Sequence, residues 1–77
     1  MAKIRYDIIP SAEGWSVTCN DVSGLSFRAQ SDAVKDTLFV AQQLRDHGDT
    51  VVIRLLELDG PRRVWRTLEP RDAHLFR

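Results

Sequence analysis

The stretch Thr50-Val51-Val52-Ile53-Arg54-Leu55-Leu56-Glu57-Leu58 constrains the fold more than any other part of the chain. In an extended segment successive side chains point to opposite faces. That places Val51, Ile53 and Leu55 on one side and Val52 and Leu56 on the other, with Arg54 as the interruption. A strand that is apolar on both sides wants cover on both sides. The rest of the chain offers one good helix. One face is therefore expected to be thinly packed or buried by another molecule, an expectation about assembly and not about chemistry.

The helix is expected over residues 32–47. Ala33, Val34, Thr37, Leu38, Ala41 and Leu44 recur at steps of three and four and form one apolar stripe. Ser31 is placed to cap the first turn and Asp32 adds a negative charge where the helix dipole favours one. Gly48 supplies the left-handed residue that stops the helix, with Arg45 and His47 in its last turn. Lys35, Asp36, Gln42, Gln43 and Asp46 occupy the opposite face, and Phe39 lies among them.

Before the helix, residues 3–9 alternate with Ile4, Tyr6 and Ile8 in phase, as a half-buried strand does. A turn over residues 10–14 leads to residues 15–19, where Trp15, Val17 and Cys19 share a face. Turn formers over 20–24 precede a short strand at 25–28. After the central strand, Asp59-Gly60-Pro61 marks a tight connection and residues 63–68 return as a fifth strand. A loop of two or four residues puts Arg54 on the Trp65 side of this hairpin and Val64 and Leu68 on the helix side; a loop of three swaps them. Residues 70–77 lack a period and are expected to form a loosely held tail. The fold expected is α+β: an antiparallel sheet in the order strand, strand, strand, helix, strand, strand, with the single helix packed on one face, in one domain over residues 1–69.

At 77 residues the chain can bury only a small core, with little area left for a deep cleft. Lys and Arg number 11 against 11 Asp and Glu, so the formal charge is zero and the basic excess that drives sequence-independent nucleic-acid binding is missing. The distribution is uneven: residues 62–77 hold five Arg against Glu69 and Asp72. Low net charge with a half-covered sheet favours self-association. Cys19 is the only cysteine, which excludes an internal disulfide or a cysteine zinc site within one chain and suits a reducing cytoplasm. Asp7, Pro10 and Glu13 interrupt any apolar run near the start, so neither a signal peptide nor a membrane span is expected.

Candidate sites each have a plain alternative. Asp46, His47 and Asp49 carry metal-ligand chemistry, but as a helix end they need only be a cation near the dipole and a glycine cap. Cys19 with His47 or His74 lacks the matched base and oxyanion donor of a nucleophile, and in phase with Trp15 and Val17 it reads as a small buried apolar residue. No glycine-rich phosphate loop or nucleophile elbow occurs. Neither an enzyme, a cofactor nor a metal is expected.

Arg54, Arg62, Arg63, Trp65 and Arg66 make the better constellation. Guanidinium groups around an aromatic can bind phosphates and stack on bases. The same residues can instead brace a hairpin, keep an edge strand soluble or form a dimer contact. Phe39 is either a tolerated exposed aromatic or an anchor for a partner. Val52, Arg54, Leu56, Arg63, Trp65, Arg66 and Phe39 are thus the candidate interface or nucleic-acid contacts. A non-catalytic module that forms a homodimer through its uncovered sheet face or an edge strand is the first expectation; an RNA- or DNA-binding accessory protein is the second.

Tyr6-Asp7-Ile8-Ile9-Pro10, then Glu13-Gly14-Trp15-Ser16-Val17, then Asp21-Val22-Ser23-Gly24-Leu25 and a helix resemble the HicB-type fold over residues 4–48. They are also similar to small bacterial domains with a P-x-x-x-G-W-x-V hairpin. The resemblance implies a three-stranded sheet carrying a helix and a further strand, in proteins that often dimerise and that, as antitoxins, bind a small ribonuclease. The hairpin after Gly48 departs from the family pattern and leaves no room for a helix-turn-helix.

Overall fold

A computed structural model describes residues 2–69; the tail expected over 70–77 lies outside them, as does His74. The elements are β1 (Lys3–Ser11), β2 (Gly14–Cys19), β3 (Val22–Phe27), α1 (Gln30–Asp46), β4 (Thr50–Asp59) and β5 (Arg62–Leu68). One helix and one five-stranded sheet make an α+β chain, in the order expected.

The sheet is mixed and not antiparallel throughout. Its strands lie in the order β3-β2-β1-β4-β5. The pairs β1–β2, β2–β3 and β4–β5 are antiparallel, while β1 and β4 run parallel in the register Ile4↔Val51, Tyr6↔Ile53, Ile8↔Leu55. The cause is the 17-residue helix. At 1.5 Å per residue it carries the chain back along the whole length of a strand, so β4 starts where β3 started and runs the same way. Two hairpins make β3 parallel to β1, and β4 inherits that direction. Parallel neighbours require such a crossover.

Local chemistry explains the shifted boundaries. β1 continues through Pro10, which has no β4 neighbour because the parallel pairing ends at Ile8; a proline is tolerated where no ladder bond is needed on that side. Asn20 and Asp21 both adopt positive φ, 49° and 70°, and close β2 to β3 in a two-residue turn, so β3 begins at Val22 and not at Leu25. Ser31 does not cap α1. Ala29 is the extended residue at the start, with φ −109° and ψ 142° and no side-chain bond, which leaves Ser31 already inside the first turn.

The far end of α1 closes as its residues dictate. Gly48 sits at φ 93°, its N–H donates to the Arg45 carbonyl at 2.9 Å, and the Asp49 N–H donates to the Leu44 carbonyl at 3.0 Å. This six-to-one and five-to-two pair is the Schellman closure, and it satisfies two carbonyls that a helix end otherwise leaves open.

Ile8, Val34, Leu38, Ile53 and Leu55 are the largest fully buried side chains, and they form one cluster with Val17, Ala33, Ala41, Val51 and Leu68. Each large aliphatic residue among them contributes roughly 1.5–3 kcal/mol by leaving water. Ile8 of β1 and Val51, Ile53 and Leu55 of β4, alternate residues of their strands, thus share that cluster with Ala33, Val34, Leu38 and Ala41 of α1. Their neighbours in sequence, Asp7 and Val52, Arg54, Leu56 and Leu58, belong to the other side of the sheet.

Candidate interaction surface

β4 and β5 are joined by Gly60 and Pro61 alone, since Asp59 pairs with Arg62. Gly60 has φ 61°, the value a two-residue hairpin asks of its first central residue. The register that follows sets Leu56 beside Trp65, Arg54 beside Thr67 and Leu58 beside Arg63, so Arg54 and Trp65 share a face. The Arg54 guanidinium lies 4.3 Å from the centre of the Trp65 ring, a cation–π contact.

Beneath it sits Asp7. Arg54 Nε donates to Asp7 Oδ1 at 2.8 Å and Nη2 donates to Oδ2 at 3.0 Å, the two-pronged geometry that guanidinium and carboxylate favour. Arg5 Nε donates to the same Oδ2 at 3.2 Å and its Nη2 reaches Asp21. The sheet brings these together: Asp7 pairs in register with Arg54 across the parallel β1–β4 ladder. The hydrogen bonds from Arg54, aided by both positive charges, hold the Asp7 carboxyl below the usual carboxylate range against the opposing effect of burial.

The result is a shallow cleft of about 510 Å³ on this side of the sheet, with Asp7, Arg54, Leu56, Leu58, Arg63 and Trp65 in its lining. Leu56 is 8% exposed and stands apart from the main cluster. Leu58 at 62% and Trp65 at 46% are open beside it, and Val52 at 42% is exposed further along β4, past Arg54.

The seven residues singled out from sequence do not form one patch. Val52, Arg54, Leu56, Arg63 and Trp65 lie on this side. Arg66, one residue on from Trp65, alternates to the other side and donates to Glu57 at 3.3 Å. Phe39, 64% exposed, is on α1. Asp7, Arg5 and Leu58 were missed. The signal for Asp7 was present: a carboxylate amid Ile4, Tyr6, Ile8 and Ile9, at a position alternation turns away from the helix.

The remaining candidates are engaged separately. Asp46 accepts from Gln42 Nε2 at 3.0 Å and Asp49 accepts from the Ala2 N–H at 3.1 Å, and no three of His, Cys, Asp and Glu gather for a metal among the described residues. Cys19 is half-buried and pairs across β1 and β2 with Tyr6, whose hydroxyl is pushed up first by burial and then by the thiol. No helix of the described residues is long and apolar enough to cross a membrane. No protein-family model, curated protein or solved structure matches the chain.

Proposed function

We propose that this chain is a non-catalytic interaction module that covers one side of its sheet with α1 and pairs the other side with a second copy of itself. The observation that carries this is the apolar pair Leu58 and Trp65, left open beside the nearly buried Leu56, with Val52 also exposed on the same side of β4 beyond Arg54. The charges between them support it too. Asp7, Arg5, Arg54 and Asp21 already satisfy one another, so a partner can settle over these four without stranding a bare charge, and of the charged residues in the cleft lining only Arg63 is left for the partner to answer or leave in water. A standard interface takes about 800 Å² from each partner, against a protomer surface of 5357 Å². Cys19 as a lone thiol suits a reducing cytoplasm.

Nucleic-acid binding has less support. Arg54 is committed to Asp7 and to one face of the Trp65 ring, and Arg66 to Glu57, which engages two of the cations and one of the stacking faces that such binding would use. The HicB-type alternative, a small ribonuclease held by the same module, would be tested by co-purification with the product of an adjacent gene.

Light scattering tests the dimer. A mass near twice 8.8 kDa is expected, and Leu58→Arg or Val52→Lys should restore the monomer while leaving the far-ultraviolet circular dichroism unchanged. Both residues are exposed in the protomer, so neither substitution opens the core. A monomer at millimolar concentration overturns the proposal.

A further inference from the structure

We infer that the outer edge of β5 accepts an acidic, extended segment of a partner protein by strand addition. The inference does not rest on the dimer just proposed, because an added strand lies in the plane of the sheet beside β5 and leaves the open face free.

The two ends of the sheet differ. β3, at one end, meets β2 through a register shift between Ser16 and Thr18, and such an irregularity spoils an edge as a template. β5, at the other, keeps an unbroken register with β4 from Asp59↔Arg62 to Ile53↔Leu68. Six of its residues, 62–67, are exposed. A straight, open edge presents unpaired backbone groups that another extended chain can complete.

Turn geometry says which groups these are. With only two residues between them, Asp59 and Arg62 must exchange both ladder hydrogen bonds, for otherwise Gly60 and Pro61 would have to bond each other. Bonded and non-bonded pairs alternate along an antiparallel ladder. Arg62, Val64, Arg66 and Leu68 therefore turn their N–H and C=O groups toward β4. Arg63, Trp65 and Thr67 turn theirs outward.

Side chains select the occupant. Arg66 has Glu57, but Arg62 and Arg63 have no ion-pair partner among the described residues. The edge thus carries two unanswered cations near the turn and the neutral Val64, Trp65 and Thr67 beyond. An antiparallel partner strand complements it with carboxylates opposite Arg62 and Arg63 and β-branched residues opposite Val64 and Trp65. A second copy of β5 laid antiparallel would set Leu68 and Thr67 opposite Arg62 and Arg63, and with no carboxylate in the strand it would answer neither cation.

The test uses the full isotope-labelled chain with a terminally blocked synthetic peptide, Thr-Gln-Ile-Val-Glu-Glu, at millimolar concentration, and its counterpart ending in Lys-Lys. Amide hydrogen exchange of Arg63, Trp65 and Thr67 should slow by about tenfold or more with the acidic peptide only. Charge reversal at Arg62→Glu and Arg63→Glu together should transfer the effect to the lysine peptide. The inference is overturned if these three amides are already slow in the free protein, if both peptides act alike, or if protection follows protein concentration, which would mark a second copy. It is also overturned if an oligonucleotide protects them and the acidic peptide does not. The mass of the Leu58→Arg variant separates failure here from failure of the dimer, since that variant keeps the whole edge.

Discussion

Asp7 is a carboxylate that the native state keeps charged, and its pH dependence has a definite sign. Its folded-state value is lowered, chiefly by the hydrogen bonds from Arg54. The stabilisation is therefore complete above the unfolded value of about 4, declines as pH falls through the folded value, and is absent below both. Thermal melts of the native chain and of Asp7→Asn should differ most near pH 6–7 and converge below about pH 4. A constant difference across that range would mean that the ion pair contributes nothing. Thr37 poses the opposite case. It is buried in α1 and its Oγ1 has no hydrogen-bond partner among the described residues, so the chain bears a desolvation cost there. Thr37→Val should stabilise by about 1 kcal/mol, a rise of roughly 4–8 °C in Tm; an unchanged or lower Tm would show that the hydroxyl is satisfied in solution.

At the scale of elements, α1 depends on its C-terminal closure more than on its start, where no side chain caps the first turn. A Cβ on Gly48 would meet nothing within 4 Å, so Gly48→Ala costs only the backbone strain of φ 93°. A loss of about 1–2 kcal/mol is expected by denaturant unfolding, and a loss below 0.5 kcal/mol would indicate a helix end that re-forms without the left-handed residue. This closure was legible in the residues, because Gly48 follows Arg45, Asp46 and His47 at the end of an apolar stripe. The N-terminal cap was not. Ser31 has the chemistry of a cap, but capping also requires the extended conformation, and Ala29 takes it first. Strand alternation was legible in β1, β2, β4 and β5, and with the Gly60-Pro61 turn it sets Arg54 beneath Trp65; the first half of β3 was not, because Asn20-Asp21-Val22-Ser23-Gly24 carries turn chemistry throughout while only Asn20 and Asp21 make the turn.

At the scale of the molecule, a sheet with apolar residues open on one side links stability to association. If the open face pairs with a second copy, folding and dimerisation share one equilibrium, so Tm should rise with protein concentration for the native chain and not for Leu58→Arg. Superimposable melts over a hundredfold range of concentration would uncouple the two.

Residue order by itself determined β1, β2, β4 and β5, the helix, its glycine stop and the two-sided apolar character of β4, because these follow from alternation, from a 3.6-residue period and from backbone freedom, all local properties. The tertiary structure decided which strands are neighbours. Only when α1 returned the chain to the far end of the sheet did β4 come to lie parallel to β1, setting Arg54 beside a carboxylate 47 residues away in sequence. That same adjacency turned an arginine that resembled a free cation into a partnered one, while Arg62 and Arg63 on the outer strand keep no ion-pair partner among the described residues. No local pattern carries such information, since a residue's own neighbours say which way its side chain points but not what waits there.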